Sequence, residues 1–249
     1  MTTTALPPST LRSLSDQGPA ELGGTWSVLS RQKVDHVRLH VLLNALASTA
    51  PSEQRSVLLE LYRLVFPHAF AEESVLWPVM RRVLPDGHDL TLRVEQEHQE
   101  VNELVTRLEE LPLHEPAREP LLARLTEVLR EDVRDEEDEL LPRLQQVLEA
   151  RRLRWLGVLW EIVRTVSPTR PHPVVARRPP GNVIAALPLT IIDRTRDQLE
   201  RAALRTDGEA SRWLPKLDQR LGRLSHAVER LPIMRAGEDA STRRAAARG

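Results

Sequence analysis

The chain has 249 residues, 41% of them hydrophobic, which is enough to bury a substantial core. A formal net charge of −1 offers no general attraction to nucleic acid or to an anionic membrane, and neither partner is expected. The absence of cysteine removes disulfides, thiolate ligands and cysteine nucleophiles, and five Trp, one Tyr and two Phe leave a core of Leu, Val and Ala that favours helices.

Neither a signal-peptide pattern nor an apolar run of about 18 residues is present, so the expectation is a soluble cytoplasmic protein. The 35 basic residues include only two lysines, Lys33 and Lys216; this bias says more about genome composition than about function.

Residues 1–25, with Pro7, Pro8, Gly18, Pro19 and Gly23, read as a flexible leader. From Trp26 the pattern turns helical, and residues 26–166 read as one bundle. In the first helix His36, Leu39, His40, Leu43 and Ala47 fall on one stripe, and Pro51 ends it. The second helix, about 52–84, lines up Val57, Leu61, Val65, His68, Glu72, Leu76, Val79 and Val83. The third, about 88–111, runs Val94, His98, Val101, Val105 and Leu108. The fourth, about 119–150, runs Leu125, Val128, Asp132, Glu136, Leu140, Leu144 and Val147, and 151–166 either continue it or form a separate segment. Short connections favour an all-α, antiparallel, up-down-up-down four-helix bundle.

Residues 167–182, rich in proline and carrying Arg170, Arg177 and Arg178, read as an extended linker. A helical extension over 183–232 follows. Its second helix, 210–231, spaces Leu214, Leu217, Leu221, Leu224, Val228 and Leu231 like a short coiled-coil seam, suited to self-association or a helical partner. Residues 233–249 read as a disordered tail. His88, His114, His172 and His226 lie in turns, linker or tail and are read as incidental.

The chemistry lies in polar residues that interrupt apolar stripes. His68-x-x-x-Glu72-Glu73, with Leu76-Trp77-Pro78 behind it, returns 64 residues later as Asp132-x-x-x-Glu136-Glu137 with Leu140-Leu141-Pro142. An i, i+4 spacing puts both members of each pair on one helix face. A histidine on the preceding helix completes each half: His36 lies 32 residues before His68, and His98 lies 34 before Asp132. Buried ionisable groups cost several kcal/mol unless they are paired or coordinate a metal. Four successive helices carrying such groups make metal binding the favoured account, and imidazole with carboxylate suits iron, manganese or zinc. Glu73 and Glu137 could support ligands from behind. His40, one turn beyond His36, is a further candidate for that supporting role, although the matching position after His98 is Asn102.

Val34-Asp35-His36, His68-x-x-x-Glu72-Glu73 with Trp77-Pro78, Glu97-His98, and Glu136-Glu137 with Leu140-Leu141-Pro142 resemble the hemerythrin-like (HHE) cation-binding domain over about residues 27–150. The segment around Pro179-Pro180-Gly181-Asn182 and Asp193-Arg194-x-Arg196-Asp197 looks like the C-terminal extension of some bacterial members. The resemblance implies an antiparallel four-helix bundle around a non-haem di-iron centre that binds or senses dioxygen, or handles iron, nitric oxide or peroxide. It implies iron ligands at His36, His68, Glu72, His98 and Glu136. Asp132 stands where the family usually has His; the site is then intact with an altered ligand, reduced to one metal, or degenerate. The alternative function is a helical interaction or regulatory module with a structural or degenerate metal site. No nucleophile or phosphate-loop motif argues for a dedicated metabolic enzyme.

Overall fold

The computed structural model describes residues 11–112, 114–203 and 210–243, and these form helices and turns with no strand among them. The first helix, α1 (Val28–Ser48), starts at Ser27, whose hydroxyl accepts the Leu29 N–H. α2 (Gln54–Ala71) and α3 (Trp77–Val83) form one rod joined by a π-helical turn over Glu72–Leu76. α4 (Gly87–Glu110) returns along the bundle. α5 (Arg118–Asp135) and α6 (Leu141–Val147) repeat the broken rod, with a π turn over Glu136–Leu140. Contacts of α1 with α2, α3 with α4, α4 with α5 and α5 with α1 close the four-helix ring. α7 (Ala150–Thr165) is a separate helix packed against α1 and α2. None of the described helices is long and apolar enough to cross a membrane.

The two π turns explain a phase error in the expected stripes. A proline at i clashes with the carbonyl at i−4, and a widened turn relieves that clash while adding one residue. Pro78 and Pro142 sit just beyond the widened turns, in the first turns of α3 and α6. Past the first turn the buried face slips by one position, to Met80 and Leu84; past the second, Leu144 keeps its place and the slip shows at the end of α6. Val83 is exposed and Leu84 buried; Val147 is exposed and Leu148 packs against the core. The prolines therefore reset the register rather than simply kinking the rods. In α1 the inward face carries Leu39, Leu42, Leu43 and Leu46, while His40 and Ala47 are exposed.

The bundle core is split in two. One apolar cluster gathers Leu76, Trp77, Met80, Val94, Leu140, Leu144, Leu156 and Trp160. The other gathers Leu42, Leu46, Leu58, Leu61, Val105, Leu108, Leu125 and Val128. The inward polar residues lie between the two.

Three segments expected to be loose are packed. Within the leader, Leu14 and Leu22 are buried in the first cluster, and Gln17 exchanges hydrogen bonds with Gln145. An apolar residue can anchor a turn-rich segment whatever its composition; the leader's first ten residues lie outside the described ones. The expected linker 167–182 is fixed by charge: buried Arg170 contacts Glu109, Asp197 and Glu200, and Arg178 pairs with buried Glu95. Of the expected tail, Pro232–Arg235 forms a 3-10 turn with Met234 buried against Val175, Ala185 and Leu189; residues 244–249 lie outside the described ones.

The extension itself is a helix pair, α8 (Gly181–Ala203) against α9 (Ala210–Glu229). Leu214 of the expected seam is buried there, whereas Leu224 and Leu231 are exposed, so part of that seam is satisfied within the chain. His172 is buried between two carboxylates, Nε2 being 3.0 Å from Asp193 and Nδ1 3.1 Å from Glu229. It is a structural joint rather than an incidental residue.

Candidate metal centre

The six candidates reach the polar layer from four rods. His36 comes from α1, His68 from the end of α2, Glu72 from the first π turn, His98 from the middle of α4, Asp132 from the end of α5 and Glu136 from the second π turn. All six are buried, and Glu72 and Glu136 are fully enclosed.

The facing atoms fall into two sets that share Glu136. His36, His68 and Glu136 can offer one atom each within 4.8 Å of one another, and so can Glu72, His98 and Glu136. Glu72 also spans the sets, with Oε1 3.1 Å from His68 Nε2 and Oε2 3.6 Å from His98 Nε2. Glu136 Oε2 lies 3.2 Å from His36 Nε2. Asp132 joins neither tight set, but its Oδ1 is 3.6 Å from His98 Nε2, on the second side. An aspartate side chain is shorter than a histidine's and reaches less far into the layer.

The histidines are oriented from behind. His36 Nδ1 donates to Glu137 at 2.9 Å, His68 Nδ1 to Asp35 at 3.2 Å, and His98 Nδ1 to Glu73 at 3.0 Å. A carboxylate on Nδ1 fixes the tautomer that leaves the Nε2 lone pair pointing inward and raises its basicity. The π turn lets consecutive Glu72 and Glu73 both be buried, one facing inward and the other on His98. Glu73 and Glu137 each meet an imidazole Nδ1 in this way. His40 does not: it is exposed on the outer side of α1 and meets Asn44 at 2.9 Å. A step of four residues overshoots one full turn, and it carries His40 to the side of His36 away from the buried Leu39 and Leu43.

Asp35 is the supporting residue that the helical pattern misses. It neighbours His36, and a polar residue one step off an apolar stripe resembles any solvated position. Trp160 of α7 also escapes the pattern; its ring meets His68 edge-on with centroids 5.4 Å apart.

The donor set fits a cation. His36 Nε2, His98 Nε2, both oxygens of Glu72 and of Glu136, and Asp132 Oδ1 are buried atoms with no hydrogen-bond partner. Orphaned buried polar groups are rare because each forfeits its solvation. Here they converge on one place. Burial by itself would depress the histidines, but Glu136 and Glu137 push His36 up to about 9, and Asp132 and Glu73 push His98 up to about 10. Burial, then repulsion from Glu136, drives the Asp132 carboxyl well above its ordinary value. A group of like charges that resists ionising together is the electrostatic counterpart of a cation site.

A cavity of about 20 Å³ adjoins the layer, walled by Leu39, Leu64, Val65, Phe66, Val101 and Leu129 as well as by the histidines. That is room for one small molecule in mostly apolar surroundings.

The family model of the hemerythrin HHE cation binding domain matches residues 27–144. Among curated proteins, an uncharacterized hemerythrin-like protein of Schizosaccharomyces pombe is 27% identical over 154 residues, 61% of this chain and 74% of that protein. No solved structure gives a significant match.

Proposed function

We propose that this chain, whose residues 27–144 match the hemerythrin HHE cation binding domain, is a di-iron protein that binds or senses dioxygen or a similarly small ligand. The observation that carries this reading is the convergence of orphaned buried Nε2 and carboxylate oxygens between the two apolar clusters. His36 and His68 would hold one iron and His98 with Asp132 the other, with Glu72 and Glu136 facing both. Bound iron supplies reversible redox chemistry and affinity for small ligands.

The protein's part is orientation and exclusion. Asp35, Glu73 and Glu137 hold three imidazoles with their Nε2 atoms inward. The leucine and valine walls keep the adjoining cavity small, which favours a diatomic molecule or peroxide over a bulky substrate. Asp132 contributes a charge where histidine would be neutral, which favours the more highly charged ferric state.

Metal analysis with near-ultraviolet absorption after aerobic reconstitution tests the reading. Wild type is expected to retain two irons per chain with a charge-transfer band, His68→Ala to lose at least one, and Asp132→His to retain both. Wild-type iron content in His68→Ala would sink the ligand assignment; trace iron in the wild type would sink the function.

A further inference from the structure

On the outer side of α2, where it meets α7 and α8, an open pocket of about 300 Å³ is lined by Arg63, Arg164, Arg194 and Arg201. Asp197 is the one carboxylate among its lining residues. That acid is already shared: it accepts Arg63 Nε at 2.9 Å, Arg170 Nη2 at 3.1 Å and the Thr169 hydroxyl at 3.0 Å. Arg164 divides its donors between Asp35 and Glu161 at 3.3 Å, and Glu161 also receives Arg31 at 2.6 Å. Arg194 donates to the Thr165 carbonyl at 2.6 Å and Arg201 to the Asp197 carbonyl at 3.4 Å. Neither has a carboxylate partner among the described residues.

Four guanidinium groups therefore line one concavity; the shared carboxylates Asp197, Asp35 and Glu161 answer Arg63 and Arg164, and none among the described residues answers Arg194 or Arg201. Arg63 Nη2 and Arg164 Nε, moreover, are buried N–H groups that no protein acceptor takes. Like charges are normally spread over a surface, so crowding them around a pocket costs energy that an anion would recover. The planar forks of arginine match the paired oxygens of a phosphate group and bind it by short, charge-assisted hydrogen bonds. The volume accommodates a phosphate or diphosphate with a small organic remainder.

We propose that this pocket is a binding site for a phosphate-bearing small molecule, separate from the metal layer. Arg194 and Arg201, which have no carboxylate partner among the described residues, supply the direct contacts, and Arg63 and Arg164 supply the field and the remaining donors.

Calorimetric titration of the full chain with inorganic phosphate and with pyrophosphate, at matched ionic strength, is the test. Saturable binding in the sub-millimolar range is expected, tighter for pyrophosphate, and weakened about tenfold or more in Arg194→Gln/Arg201→Gln. Arg151→Gln/Arg152→Gln, which removes the same charge from exposed positions at the other end of α7, should bind as wild type does. Helicity by circular dichroism and the melting temperature in phosphate-free buffer should match in all three proteins. Absence of saturable binding by the wild type overturns the site. So does undiminished binding by Arg194→Gln/Arg201→Gln, or an equal loss in Arg151→Gln/Arg152→Gln.

Discussion

Three of the residues that matter most to the candidate centre need not touch a metal. Asp35, Glu73 and Glu137 each fix one imidazole through Nδ1. Removing such a support from a metal-binding histidine typically costs 10–100-fold in affinity. Glu73→Gln is therefore expected to weaken iron retention by about that factor in a competition assay with a chelator, while leaving the helical content unchanged. A different sign governs His172. Burial would lower it, but Asp193 and Glu229 push it up to about 9 from an unfolded value near 6.5. A raised pKa means the charged form favours the fold: the contribution is full below about pH 6.5 and is lost as pH rises through 9. Thermal melts from pH 6 to pH 9.5 should show wild type losing stability across that window, and His172→Gln should flatten the decline. A parallel decline in both proteins would remove His172 as its cause.

How far these residues could be read from the chain depends on how local their partners are. His36, His68, Glu72, His98 and Glu136 betray themselves because ionisable groups interrupt stripes of Leu and Val. His172 has no such contrast: it sits among prolines, and its partners lie 21 and 57 residues away on two later helices. Asp35 is hidden for a subtler reason, since its role depends on the ring of His68 on another helix rather than on its own helix face.

At the scale of elements, the π turns are what sequence periodicity registers least well. A repeat of 3.6 assumes that every residue advances the helix by the same angle, and one widened turn breaks that assumption silently. The helices before each turn follow the expected stripe; after it α3 is rotated by one residue, as Val83 shows, and α6 departs from the stripe at its end, as Val147 shows. The packing of α7 poses a different constraint. Gly157 lies so close to the chain entering α1 that an added Cβ would stand 2.0 Å from the Trp26 carbonyl oxygen and 2.9 Å from the Val28 nitrogen. Both are backbone atoms and neither can step aside cheaply. Gly157→Ala should destabilise the protein by about 1–3 kcal/mol, the range for overpacking, seen as a lowered midpoint in denaturant. It should also disturb the Trp160 contact with His68, because Gly157 and Trp160 lie three residues apart on one face of α7.

Over the whole molecule, the extension and the bundle form a continuous network of charge. Arg177 approaches Glu73 at 3.9 Å, Asn182 donates to Ser74 at 3.2 Å, and Asn102 accepts the His172 N–H at 2.9 Å. Residues 167–182 thus bear on the same α2–α4 face from which His98 is oriented. The four-helix ring was legible in the sequence because each helix carries its own amphipathic signal. The docking of the extension was not, because it rests on salt bridges between residues far apart in the chain.

The division of the bundle core into two apolar clusters bears on how the protein comes apart. A layer of unpaired polar atoms contributes little cohesion, so without a cation the two clusters are joined mainly by their shared helix backbones. Each can then open as its own cooperative unit. A bound cation reverses this by drawing side chains from four rods to one point, and its affinity becomes folding free energy. Amide hydrogen exchange should show this directly. In iron-loaded protein, amides flanking Leu61 and Leu76 should exchange with similar protection. After iron removal, the two groups should separate into distinct protection classes. Uniform exchange in the metal-free protein would mean that the clusters remain one unit without the cation.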